Sequence, residues 1–188
     1  MKLSFVSLFA VAALSTASLQ SASAQKTKEK TVMVGGAAMY PSKNIVENAV
    51  NSKDHTTLVA AVKAAGLVET LSGPGPFTVF APTNEAFDAL PKGTIPTLLK
   101  PESKDMLTKV LTYHVVSGKM TSADLMKAIK AGKGTATLTT VQGEKLTAMM
   151  KGKAIEVKDA KGGVATVTIA DVMQSNGVIH VVNKVLMP

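Results

Sequence analysis

The chain has 188 residues and a formal net charge of +8, all 21 of its basic residues are lysine, and it contains neither cysteine nor tryptophan. Without disulfides its stability has to come from a hydrophobic core, which a chain of this length can bury as one domain. Nucleic-acid binding is disfavoured, because surfaces of that kind usually combine arginine with stacking aromatic rings.

The first 24 residues, MKLSFVSLFAVAALSTASLQSASA, have the composition of a secretory signal peptide. One lysine precedes an apolar centre, and Ala22, Ser23 and Ala24 form a small-residue cleavage site. The apolar run from Leu3 to Leu14 is shorter than the roughly 20 residues that a membrane-spanning helix requires. We therefore predict that residues 1–24 are a signal peptide, that the mature protein is periplasmic or extracellular, and that no transmembrane segment remains after cleavage.

Residues 25–42 mix charges, a Gly-Gly pair and a proline without a sustained period. This pattern predicts a flexible N-terminal arm in front of a single domain at residues 43–188. Within that domain Leu58, Val62 and Ala65 recur at helical spacing, with Asp54 as the candidate N-cap of the helix.

The stretch FTVFAPTNEAFDAL, residues 77–90, raises the question of whether its polar cluster is an active site or a joint between core segments. Alternation predicts a strand in which Phe80 faces away from Val79. The strand ends at a proline, and Thr83 is then placed to cap a short helix with its hydroxyl group. Asn84 lies beside it in the same cluster.

Two further helices are predicted, one along the stripe of Met106, Leu107, Val110 and Leu111 and one over residues 122–131. Residues 113–116, Tyr-His-Val-Val, are interpreted as a strand between them. Beyond residue 134 the apolar period changes to two, which predicts a series of strands. Asn176 and Gly177 predict a turn before the last strand. Helices early and strands late indicate an α+β fold.

The histidines His55, His114 and His180 lie in unrelated segments, and none has a second ligand at helical or hairpin spacing. We therefore predict no metal site and no catalytic residue. Tyr113 and His114 are a conceivable iron-binding pair, but adjacent strand residues point to opposite faces. The preferred interpretation is that one of the two is buried with its polar atom bonded to the backbone. His180, between two apolar residues, is interpreted as a satisfied core histidine.

Asp171 follows an apolar strand and precedes Val172 and Met173. A carboxylate beside apolar side chains can serve as a recognition handle for a partner protein. An aspartate at the end of a strand can equally hydrogen-bond its own turn, and the residues alone favour this second role.

Three ordered segments, FTVFAPTNEAF, TYHVVSG at residues 112–118 and SNGVIHVVNKVLMP at residues 175–188, resemble conserved blocks of the fasciclin domain. The resemblance implies a wedge or sandwich of two β-sheets with helices packed around one side. It also implies cell adhesion or surface association without enzymatic activity or a cofactor.

In this family the Tyr113-His114 stretch is associated with adhesion. Asp171-Val172 stands where animal members carry an integrin-recognition Asp-Ile pair, and Met173 matches the family as well. Valine stands in place of isoleucine and Ile169-Ala170 in place of the usual Glu-Pro, so the resemblance does not extend to an integrin partner. The chain is similar to small secreted bacterial members of the family, some of which occur in bacteria living with eukaryotic hosts.

Three hypotheses follow. The first is a monomeric secreted module that binds a cell-surface protein or an anionic glycan through the Asp171 edge or through the lysines of residues 119–161, which number nine against four acidic residues. Those lysines can equally form a solvated face that keeps the protein soluble. The second is an envelope enzyme with a dispersed site at His114 or His180. The third is a passive envelope protein in stress or symbiosis.

Overall fold

The computed structural model describes residues 30–188, and the predicted signal peptide lies outside this part of the chain. Helices and strands are mixed along it, as an α+β fold requires. The helices are α1 (Ile45–Ala49), α2 (Thr56–Ala65), α3 (Val68–Ser72), α4 (Asn84–Asp88), α5 (Thr94–Leu98), α6 (Lys104–Tyr113) and α7 (Ser122–Ala131). The strands are β1 (Val32–Val34), β2 (Ala37–Met39), β3 (Phe77–Pro82), β4 (Val115–Ser117), β5 (Thr135–Thr139), β6 (Lys145–Lys151), β7 (Ala154–Lys158), β8 (Val164–Gln174) and β9 (Gly177–Val182).

Seven of the strands form one sheet in the order β4-β3-β9-β8-β7-β6-β5, and β1 pairs with β2 in a separate hairpin. The long strand β8 bends between Val167 and Val172, where its register against β9 shifts. A bridge between Val116 and Thr140 brings the two edges of the sheet together, so that the sheet almost closes. The predicted α+β class is confirmed, and the two sheets of the expected wedge are the two halves of this one sheet.

The core has two parts, one on each face of β3. Val79 packs with the helical cluster that includes residues of α1, α2 and α6. Phe80, the next residue, packs with the cluster between the sheet halves, together with Leu125 and Ile129 of α7. The predicted alternation along this strand is therefore confirmed, because successive strand residues point to opposite faces.

The N-terminal arm expected at residues 25–42 is not flexible throughout. Residues 32–39 form the β1–β2 hairpin, and Val34 and Met39 are both 3% exposed within the helical core cluster. Apolar burial holds the hairpin against the domain. The prediction was wrong for these residues because a three-residue strand is too short to display a period.

Helix α6 continues through Tyr113 and ends with His114 as its C-cap, so β4 begins only at Val115. The prediction of a strand over residues 113–116 was therefore wrong for Tyr113 and His114. Met106 was also placed wrongly on the buried stripe, because it is 60% exposed. Backbone hydrogen bonding carries the helix into the Tyr-His pair, although both residue types also suit a strand.

No helix within residues 30–188 has the length and apolar character needed to cross a membrane.

Gly177 is required by the close approach of β9 to β3. Its pairing partner is Phe77, and an added Cβ atom would overlap the Phe77 carbonyl oxygen and lie 3.0 Å from the carbonyl carbon. Its φ angle is not positive, so the need is steric and not conformational.

We expect the Gly177→Ala variant to lose about 2 kcal/mol of unfolding free energy, because the two backbones have to move apart. Gly143→Ala is the control: Gly143 has a φ of 99° and open space around its Cβ position, so the change costs only the left-handed backbone conformation, about 1 kcal/mol. Urea unfolding of both variants measures the difference. Equal losses would contradict the steric argument.

Candidate functional site

The Thr-Asn-Glu cluster after β3 is a joint. The Thr83 hydroxyl accepts a hydrogen bond from the Ala86 amide at 3.3 Å, which confirms Thr83 as the N-cap of α4. Asn84 reaches another helix: its Oδ1 accepts from the Thr57 amide at 3.0 Å and its Nδ2 donates to the Lys53 carbonyl at 2.8 Å. Asn84 thereby satisfies amide and carbonyl groups at the start of α2, where Asp54 had been expected to act as the cap.

Phe80 and His180 form a buried ring pair between β3 and β9. Both residues are fully buried, and their ring centroids lie 5.7 Å apart at an interplanar angle of 28°. His180 Nε2 donates to the Met120 carbonyl at 2.9 Å, and its Nδ1 accepts from the Asp171 amide at 3.3 Å. Burial lowers the pKa of His180, and the Met120 carbonyl offsets part of that effect. The imidazole is a neutral core group, as the sequence predicted.

Tyr113 is fully buried, and its hydroxyl group joins the start of β6 to the turn after β7. The hydroxyl donates to the Lys145 carbonyl at 3.2 Å and accepts from the Ala160 amide at 2.9 Å. Burial raises the pKa of Tyr113, which keeps the phenol protonated. The side chain therefore closes the domain near β6 and does not present itself to a partner.

His114 is 2% exposed and is also bonded on both ring nitrogens. Its Nδ1 donates to the Val110 carbonyl at 2.7 Å, and its Nε2 accepts from the Leu186 amide at 2.9 Å. Burial lowers the pKa of His114 to about 4. The sequence predicted that one residue of the Tyr-His pair would be buried with a backbone hydrogen bond, and the structure buries both.

Asp171 lies at the irregular part of β8 and has a positive φ of 57°, a conformation that aspartate tolerates better than most residues. Its carboxylate accepts from the Ser122 amide at 2.6 Å and from the Ser122 hydroxyl. The carboxylate therefore serves the first turn of α7 and not the turn that follows β8. Val172 is 1% exposed and belongs to the core, whereas Met173 is half-buried.

Asn176 has a larger role than the predicted turn. Its Oδ1 accepts from the Ile45 amide at 3.1 Å, and its Nδ2 donates to the carbonyls of Leu71 and Gly73 at 2.8 and 3.0 Å. One side chain thus connects the last hairpin with α1 and α3. The residues within the turn itself are Ser175 and Asn176, because Gln174 pairs with Gly177.

A groove borders Asp171 between the β1–β2 hairpin and the end of β8. Its volume is about 1220 Å³ including space open to solvent, and Met173, Lys30 and Lys119 line it together with Asp171. Lys30 was not among the predicted site residues, and Lys119 was predicted only as one of the lysines of residues 119–161. The β1–β2 hairpin and the turn before α7 bring the two lysines near β8.

The histidines do not converge. His55 Nδ1 bonds to the Ser52 hydroxyl at 2.9 Å, whereas His114 and His180 bond to separate backbone groups. Across residues 30–188, no three side chains among His, Asp and Glu are grouped as metal ligands would be. Thr83 likewise lies in its own helix cap.

The buried neutral His114 predicts a loss of stability in acid. Unfolded histidine takes up a proton near pH 6.5, whereas folded His114 does so only near pH 4. Between these values the unfolded chain binds more protons, so stability falls as pH falls through this window and levels off below it. We expect His114 to lower the free energy of unfolding by about 3 kcal/mol across this window.

Urea unfolding between pH 7.5 and pH 4 tests this. His114→Gln is the control, since it keeps a donor and an acceptor but does not titrate; it should unfold more easily at pH 7.5 and show a shallower pH dependence. A wild-type stability that is flat over the window would contradict the assignment.

Comparison with known proteins gives the context of these contacts. The chain matches the fasciclin domain over residues 53–188. It is 51% identical over 165 residues to protein sll1483 of Synechocystis sp., covering 87% of this chain and 83% of the relative. It is 37% identical over 145 residues to immunogenic protein MPB70 of Mycobacterium bovis, covering 74% and 66% of the two chains.

Transforming growth factor-beta-induced protein ig-h3 of Sus scrofa is 40% identical over 131 residues, which are 70% of this chain and 17% of that relative. Among solved structures, a domain pair of the insect cell adhesion molecule Fasciclin I aligns with a TM-score of 0.55 at 22% identity. That alignment covers 69% of this chain and 43% of the other, and it shows a shared fold. Because the fasciclin domain matches residues 53–188, which are most of the chain, this chain belongs to the fasciclin domain family.

Proposed function

We propose that this chain is an exported, non-enzymatic and monomeric module that associates with a cell surface by binding a protein or an anionic glycan. Export rests on the signal-peptide pattern of residues 1–24. Adhesion is supported by the family, whose insect relative is a cell adhesion molecule. The observation that carries the proposal is the groove beside Asp171, where positive charge and apolar surface meet.

Within this groove, Met173 and Lys119 are the residues that would contact a partner. Val172 is buried, and the Asp171 carboxylate already holds Ser122. Met173 offers apolar area, whereas Lys119 offers a positive charge on an exposed side chain. A partner with negative charges next to an apolar group fits this combination.

A second basic surface lies on the β6–β8 part of the sheet. Its lysines are exposed, and among the described residues Lys151 alone makes a salt bridge, to Glu156 at 3.3 Å. The others are available to an anionic polymer. This set, named the β6–β8 lysines, consists of Lys145, Lys151, Lys153, Lys158 and Lys161.

The non-enzymatic part of the proposal is supported by the histidines. A general base needs a free ring nitrogen within reach of its substrate. Both nitrogens of His114 and of His180 are bonded to backbone groups in the folded domain. We do not include Tyr113 and His114 in the binding surface, because both side chains are buried.

Charge reversal tests the proposal. We expect Lys119→Glu to weaken retention on cells or on extracted envelope polysaccharide about 5-fold, since one exposed charge pair is worth up to about 1 kcal/mol. Replacing the β6–β8 lysines by glutamine should weaken retention further, and added salt should reduce binding by the wild type. Lys109→Glu on α6 is the matched control, an exposed lysine outside both surfaces.

Met173→Ala tests the apolar contact and is preferable to Asp171→Ala, which would also remove both Ser122 hydrogen bonds. If the lysine and Met173 variants are retained as strongly as the Lys109→Glu control, the proposed surface is wrong. Retention that does not saturate with increasing protein concentration would indicate unspecific adsorption, and it would also contradict the proposed surface.

A further inference from the structure

Two adjoining apolar pockets lie between the sheet and the first two helices. One has a volume of about 530 Å³, and the other, which contains His55 and is named the inner pocket, about 330 Å³, each including space open to solvent. They share the side chains of Ile45, Ala49, Leu58 and Val79, so one continuous aliphatic wall runs past both. Such a wall provides affinity for hydrocarbon but no means of orienting it.

The inner pocket contains one polar side chain, His55, which is 3% exposed. Its Nδ1 is bonded to the Ser52 hydroxyl, which is itself buried, whereas its Nε2 has no hydrogen-bond partner among the described residues. The Ala81 backbone is near enough to raise the pKa of His55 somewhat, but it does not meet hydrogen-bonding geometry, and burial lowers the pKa overall. Buried polar atoms of this kind are rare in folded proteins.

The chemistry of a group that would satisfy Nε2 is restricted. A carboxylate or an ammonium group is disfavoured at His55, because no charged side chain lines the inner pocket and an unpaired charge is strongly destabilised there; Lys63 lines only the adjoining pocket. The imidazole is neutral, and Nε2 is a donor or an acceptor according to the direction of the Ser52 bond. A hydroxyl group matches both cases, because it donates and accepts.

We propose that these pockets bind a neutral aliphatic alcohol, with its hydroxyl group on His55 Nε2 and its hydrocarbon chain along Ile45, Ala49 and Leu58. This site differs in chemistry from the surface proposed above for adhesion, which binds charge at its lysines, although Met39 lines both. The ligand therefore adds a second binding capacity to the domain.

Methyl NMR titration with 1-hexanol, and with hexanoate as the charged match, tests the site directly. Saturable shifts of the Leu58, Val79 and Ile179 methyl groups are expected with 1-hexanol. At the Ile179 methyl groups, which line only the pocket of His55, hexanoate should bind at least about tenfold more weakly, because its carboxylate would have to lose its hydration there. Equal affinity for both probes, or shifts that rise linearly without saturation, would overturn the proposal.

Two variants locate the binding. Ala49→Leu fills the space common to both pockets and should abolish the 1-hexanol shifts, whereas Ala131→Leu, the same change at the exposed last residue of α7, should leave them unaltered. His55→Leu should weaken 1-hexanol binding about 5-fold through loss of one hydrogen bond. Unchanged binding in either pocket variant refutes the site, and if His55→Leu fails to fold, Ala49→Leu and the hexanoate comparison decide.

Discussion

The parallel pairing of β3 with β9 is the contact on which the remaining structure depends. The two strands pair from Phe77 with Gly177 to Pro82 with Val182, although about a hundred residues separate them in the chain. A parallel pair needs a long crossover connection, and here that connection contains α4 to α7 and most of the sheet. The absence of a side chain at Gly177 permits the close approach at one end, and the Phe80–His180 ring pair packs in the middle.

Several polar side chains hold this pair in place through hydrogen bonds within the domain. Asn176 connects the start of β9 with α1 and α3, and His114 connects the end of α6 with Leu186 after β9. Each of these side chains satisfies buried backbone groups that would otherwise be costly. Both ring nitrogens of His114 and of His180 are thus bonded within the domain, whereas His55 Nε2 has no hydrogen-bond partner among the described residues.

The two proposed binding regions differ in the kinds of side chain that line them. The groove beside Asp171 combines lysines with Met173, whereas the inner pocket combines aliphatic walls with His55. Met39, from the hairpin, lines both. The short N-terminal hairpin therefore contributes a side chain to both proposed binding regions.

The sequence by itself determined the features that depend on neighbouring residues: the α+β order, the alternating faces of Val79 and Phe80, and the Thr83 cap. Only the tertiary structure decided the partners of Asn84, Asp171 and the histidines, and the folding of residues 32–39 onto the core. The reason is physical. Periodicity and capping report interactions within about four residues, whereas Asp171 and Ser122 lie 49 positions apart and His114 and Leu186 lie 72 apart. Such contacts exist only after β3 and β9 have paired and brought distant segments of the chain together.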